Sequence, residues 1–258
     1  MINKLPYQDD KYISYAEYGN PAGFPVLVQH GMVSSIKDGS IFGDDLTKHA
    51  RIICIARPGY GESSPVTLKN YREWGEMVSW LADKLHLTTF DVLASSAGAP
   101  YGYAVAAVCT GKVRNVYVYS GLPALYNEEI QAIWPYPFRK NMSESESKNI
   151  AYELFFAHVP EELMKNDDVR DSMMNTYFGV AQDLRIRFED WGFKLSDVKA
   201  KVYLQHSKQD EVVPYKTVEI TVDLLPDFTL ELMEEGEHFS VESYQYFLEK
   251  RVLPNIRL

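Results

Sequence analysis

Ser96 is the residue of this chain whose setting prepares it to attack a carbonyl group. It follows Val92-Leu93-Ala94, the end of an apolar run that reads as a buried strand, and it precedes residues 99–109, which read as a helix. A serine at a strand-to-helix turn sits on strained backbone with its hydroxyl exposed at the C-terminal edge of a sheet. Crowding at such a turn demands small side chains two residues before and two residues after the nucleophile. Counted from Ser96 these are Ala94 and Gly98; counted from Ser95 they are Leu93 and Ala97, and the leucine would clash. Ser96 is the better register. A Ser-Ser turn that only caps the next helix is the competing reading of the same residues.

A serine hydroxyl is a weak nucleophile near neutral pH. It needs a base within hydrogen-bond reach, and the base needs a carboxylate to orient it. Two later loops carry these residue types. His206-Ser207-Lys208-Gln209-Asp210-Glu211-Val212-Val213-Pro214 follows a strand-like run at 201–205, and Glu235-Gly236-Glu237-His238-Phe239 follows another at 229–233. Loops at the C-terminal ends of strands are where a doubly wound sheet gathers its functional groups. The acid could also be Glu211, next to Asp210, or Glu128, after an earlier strand.

The elements that must position these groups alternate along the chain. Residues 12–18 alternate polar and apolar, Asn20-Pro21-Ala22-Gly23 is a turn, and residues 25–29 are an apolar strand, which together predict an antiparallel hairpin. A helix near 42–49, a strand at 51–56, a helix at 70–87, a strand at 90–94, the helix after Ser96 and a strand at 114–119 then follow as βα units. In the 70–87 segment Trp74, Met77, Val78, Leu81 and Leu85 fall at helical spacing, so one face packs on a sheet. Such alternation predicts an α/β fold, a mostly parallel doubly wound sheet covered on both faces. Between 122 and 195 the rhythm stops and the text turns helical and aromatic, with Trp134, Tyr136, Phe138, Phe155, Phe156, Tyr177, Phe178, Phe188 and Trp191. It resumes with a strand at 201–205, a helix at 215–225, a strand at 229–233 and a helix at 241–251. The expected organisation is a core of residues 1–121 and 196–258 with a helical cap at 122–195. Most of the cap aromatics are expected to pack against the cap itself and the core.

Composition narrows the classes of partner. The 258 residues hold 26 Lys and Arg against 36 Asp and Glu, a net charge of −10, which disfavours a nucleic-acid groove or an anionic membrane surface. Lys4 comes early and residues 1–15 contain no apolar run, so no signal peptide is expected and a cytoplasmic location is. The two cysteines, Cys54 and Cys109, are expected as buried free thiols, and no Cys/His spacing suggests a metal. The glycines of Arg57-Pro58-Gly59-Tyr60-Gly61-Glu62-Ser63 allow a tight turn, but no Lys-Ser/Thr pair follows as a phosphate loop requires. His49, His86 and His158 lie in helix-like surface text and are expected to be structural.

In order and spacing, four segments make the chain resemble the α/β-hydrolase family over essentially its whole length. They are His30-Gly31, the Arg57–Ser63 segment, the turn at Ser96, and the Asp210 and His238 loops, whose order is the family's nucleophile, acid, base. The resemblance implies Ser96 as nucleophile, His238 as general base and Asp210 as the acid that orients it. It implies an oxyanion hole from the backbone N–H groups of Met32 and Ala97, with His30 and Gly31 supporting that loop. It implies no cofactor and a small-molecule acyl substrate, and the cap's aromatics favour an apolar acyl or aromatic group. Serine at the elbow, where haloalkane dehalogenases and epoxide hydrolases carry aspartate, argues against those chemistries. An acyltransferase, a carbon–carbon-bond hydrolase or lyase, or a binding protein with little turnover would use the same fold, because fold and triad do not choose a substrate.

Overall fold

The computed structural model describes residues 1–256. Eight strands form one sheet: β1 (Ile2–Tyr7), β2 (Lys11–Gly19), β3 (Phe24–Gln29), β4 (Ala50–Ile55), β5 (Phe90–Ser95), β6 (Val113–Tyr119), β7 (Lys201–Ser207) and β8 (Phe228–Met233), in the spatial order β1-β2-β4-β3-β5-β6-β7-β8. From β4 through to β8 every pair is parallel; only β1–β2 and β2–β4 are antiparallel.

Alternation along the strands divides the core into two layers, as the pleat requires. Leu27, Ile53, Ile55, Val92, Val116 and Val118 face one layer, and Val26, Val28, Ile52, Leu93, Tyr117 and Tyr119 face the other. The first layer is closed by α2 (Tyr71–Lys84), α3 (Ala99–Val108) and α7 (Tyr215–Val222). The second is closed by α1 (Gly43–His49) and by α8 (Val241–Phe247), which runs through a short π segment into α9 (Leu253–Ile256). Helix α2 shows why periodicity was readable. Asn70 caps it, and Trp74, Met77, Val78 and Leu81 are all buried on one face.

The expected hairpin between residues 12–18 and 25–29 does not form. β2 makes its hairpin backwards, with β1, and pairs on its other edge with β4, Ala16 opposite Cys54. β3 lies beyond β4, so the turn at 20–23 carries the chain past one strand position instead of folding it back. β1 has only half-buried and exposed residues, as befits an edge strand, so its residues carry no strong strand pattern.

Among the described residues, 122–195 contributes no strand to the sheet. It forms α4 (Glu128–Ile133), α5 (Glu144–Phe155) and α6 (Asp167–Ile186). A capping box between Ser143 and Glu146 starts α5. Helix α6 is interrupted: Met174 is extended, and Asn175, Thr176 and Tyr177 are left-handed at φ 53°, 56° and 59°. Left-handed backbone is unfavourable for residues with a Cβ, so three in succession need support from packing. Asn175 donates from Nδ2 to the Gly59 carbonyl at 3.2 Å, and Phe178 lies where a Cβ on Gly59 (φ 85°) would come within 2.4 Å of its ring. Cys54 and Cys109 are buried and free, and burial pushes both thiols' pKa values up. Among the described residues, no helix is long and apolar enough to cross a membrane.

Candidate active site

Ser96 stands immediately beyond β5 with φ at 50°, in the left-handed region. The turn is closed by a contact that only glycine permits: a Cβ on Gly98 would lie 2.2 Å from the Gln29 carbonyl oxygen and 2.7 Å from that of His30. The end of β3 thus presses against the start of α3, and the serine is pushed up from the sheet edge.

The two later loops meet it there. His238 Nε2 lies 2.8 Å from Ser96 Oγ, and His238 Nδ1 lies 2.8 Å from Asp210 Oδ2. In the neutral ring that this geometry suits, Nδ1–H donates to Asp210 and Nε2 accepts from the serine hydroxyl. Asp210 is buried, and its Oδ1 accepts from the N–H groups of Val212 at 2.9 Å and Val213 at 2.8 Å. Burial alone would raise the Asp210 pKa. The hydrogen bonds from His238 and Val213 and the neighbouring His238 and His206 rings outweigh it, and hold the carboxyl below its usual range. Glu211 and Glu128 are both exposed and neither reaches His238. His49, His86 and His158 are exposed and lie outside the cavity lining.

Gly31 carries the loop over the serine; a Cβ on it would be 3.9 Å from Ser96 Cβ. Met32 and Ala97 both line the cavity beside Ser96, and the Met32 amide has no hydrogen-bond partner among the described residues. Both His30 nitrogens are engaged: Nε2 accepts from the Arg57 N–H at 3.2 Å, and Nδ1 lies 2.8 Å from the Gly31 carbonyl oxygen. Burial, reinforced by the Arg57 charge, holds the His30 pKa well below the usual histidine value.

Arg57, which opens the turn at 57–63, is fully buried and ties this loop down. Its guanidinium donates to the carbonyls of His30 and Gly31 and pairs with Asp183 of α6 at 2.6 Å. Tyr60 and Tyr101 donate their hydroxyls to the same carboxylate. Burial works against the Arg57 charge, and Asp183 with the two tyrosines more than compensates, so its pKa is raised. Nothing local in the sequence marks this pair, whose members are 126 residues apart.

Ser96 and His238 open into a cavity of about 1020 Å³ between the sheet edge and the helical segment. Its wall is mostly apolar. Of the aromatics of 122–195, Trp134, Tyr136, Phe155 and Phe188 contribute to it, whereas Phe156, Phe178 and Trp191 are buried in packing.

The buried histidines make stability sensitive to acid. Burial lowers the pKa of His206, as it does that of His30, so both are harder to protonate in the folded protein than in the unfolded chain. Below about pH 6.5 the unfolded chain takes up protons at these positions that the native state binds less readily, and stability falls. Asp210 adds loss at still lower pH, as its depressed pKa is passed. The midpoint of thermal unfolding should therefore drop between about pH 7 and about pH 5. The drop should shrink in His206→Gln, whose amide can keep the donation to Val213; melts at the two pH values check this.

A model of the alpha/beta hydrolase fold family matches residues 25–151. No curated protein matches the sequence significantly. Among solved structures, the chain is similar to an esterase from Exiguobacterium antarcticum, with 19% identity, all of both chains covered and a TM-score of 0.72. It is similar to a hydrolase from Pseudomonas aeruginosa PA01 at 17% identity, covering 98% of this chain and 97% of that one, with a TM-score of 0.71. A bromoperoxidase from Bacillus anthracis is also similar, at 18% identity, 96% and 97% coverage and a TM-score of 0.69. At these identities the likeness establishes the fold.

Proposed function

We propose that this chain, which belongs to the α/β-hydrolase fold family, is a serine hydrolase that cleaves small to medium carboxylic esters through an acyl-enzyme. The observation that carries the reading is the relay Ser96–His238–Asp210, two bonds of 2.8 Å, set at the floor of a large apolar cavity.

Each group has a role in this reading. As Ser96 Oγ attacks the ester carbonyl, its proton passes to His238 Nε2, and Asp210 stabilises the imidazolium that forms. Charge developing on the carbonyl oxygen is met by the N–H groups of Met32 and Ala97, each worth about 3–4 kcal/mol in comparable sites. His238 then protonates the departing alkoxide, and a water that it deprotonates releases the acid. Residues 122–195 act as a cap that shapes the acyl pocket and shields the intermediate from water.

Reaction with a fluorophosphonate probe tests the nucleophile. The native protein should be labelled at Ser96 and lose hydrolysis of nitrophenyl esters in step, while Ser96→Ala takes no label. Equal labelling of both proteins, or a native protein inert to probe and ester, would overturn the reading.

A further inference from the structure

Two residues of the cavity wall hold buried donors with no partner among the described residues. The donors are Nε of Arg187, at the C-terminal end of α6, and the indole Nε1 of Trp134, just after α4. These two nitrogens are sealed off even from the cavity, but the rest of the Arg187 guanidinium, which makes no hydrogen bond to the described residues, is open to an acceptor in the cavity that Arg187 lines.

The absence of a partner for Arg187 has a structural cause. Asp183 lies one turn earlier on α6, at the i, i+4 spacing at which an aspartate and an arginine ordinarily pair. That carboxylate is already engaged by Arg57, Tyr60 and Tyr101. It is near enough to favour the Arg187 charge but makes no hydrogen bond to it. The guanidinium instead rests over the Phe188 ring at 4.7 Å. The other carboxylates of the cavity wall, Asp38, Glu153 and Asp168, are exposed, and Asp168 accepts from the Ser35 N–H. The interior of the cavity therefore holds a guanidinium without a hydrogen-bonded counter-ion.

We infer that the ester cleaved at Ser96 carries a second, anionic group, a carboxylate, that is received by the guanidinium of Arg187. This rests on the hydrolase reading given above and specifies its substrate class. A neutral acceptor would satisfy the N–H groups and leave a buried charge uncompensated, which is costly. A phosphate dianion would overcompensate a single guanidinium. A carboxylate matches both the charge and the planar donor edge. Because the wall is mostly apolar, the link between ester and carboxylate is hydrocarbon. Half-esters of dicarboxylic acids are the simplest members of this class.

The inference is tested first by binding, without turnover. Ser96→Ala protein is titrated calorimetrically with the monoethyl esters of succinic, glutaric and adipic acids, and with the corresponding neutral diethyl esters. At least one half-ester should bind roughly tenfold to a hundredfold more tightly than its diester. Adding Arg187→Met should abolish the preference, and Arg187→Lys should keep part of it. Diesters binding as well as half-esters at every length would overturn the inference, as would a preference that survives Arg187→Met. The kinetic arm compares kcat/KM for nitrophenyl half-esters and neutral nitrophenyl esters on the native protein, expecting the same preference. A native protein that selects half-esters but takes no fluorophosphonate label would remove the hydrolase reading and keep the carboxylate site. Labelling and turnover without charge selection would do the reverse.

Discussion

Asp210→Asn lowers kcat by about 10⁴-fold and leaves the fold intact. The asparagine can still accept from the Val212 and Val213 N–H groups through its carbonyl oxygen, so the loop keeps its shape. Its NH₂ then faces His238 Nδ1, where the native carboxylate accepts. A donor there forces the ring into the tautomer with its proton on Nε2, and that nitrogen can no longer take the Ser96 proton. Circular dichroism separates loss of fold from loss of turnover. Glu211→Gln and Glu128→Gln are the controls; both residues are exposed and away from His238, so neither should change the rate materially. Near-normal turnover by Asp210→Asn would remove Asp210 from the mechanism.

The second large effect is on stability. Asp183→Asn and Arg57→Met should each cost about 3–5 kcal/mol, because each leaves one member of a buried ion pair unpaired. The surroundings make that cost hard to avoid. Arg57 is enclosed by the Tyr60 and Tyr101 rings, and Asp183 also holds both tyrosine hydroxyls. The double variant Arg57→Met/Asp183→Asn should lose less than the two single losses together, since no unpaired charge remains. Its turnover should still fall, because the carbonyls of His30 and Gly31 lose their common donor and the loop bearing the Met32 amide is released. Urea denaturation of the four proteins, with rates measured alongside, separates the effects. Additive losses in the double variant would mean that the pair contributes nothing as a pair.

Both predictions turn on contacts between distant parts of the chain, and these divide what the sequence carries from what it does not. Elements with a strong local period were legible: the face of α2 built on Trp74, Met77, Val78 and Leu81, and the apolar strands β3 to β6. The turn at Ser96 was legible for the same reason. Its constraint, small residues at Ala94 and Gly98, is a matter of crowding within five residues, and the Gly98 contact with β3 is the physical form of that constraint.

By itself, then, the sequence determined an α/β fold, a tight strand-to-helix turn at Ser96, and a short set of acids and bases at strand ends. Tertiary structure decided which of them meet. It chose Asp210 over its neighbour Glu211, brought His238 to a serine 142 residues away, and put β2 beside β4 instead of β3. It also joined Arg57 to Asp183 and so left the Arg187 guanidinium in the cavity wall without a hydrogen-bonded partner among the described residues. The reason is range. Periodicity and turn crowding act among residues a few positions apart, so they are written in the local text. Which edges pair, and which buried charge finds which counter-charge, depends on how whole elements pack, and each such choice alters the partners left for the next.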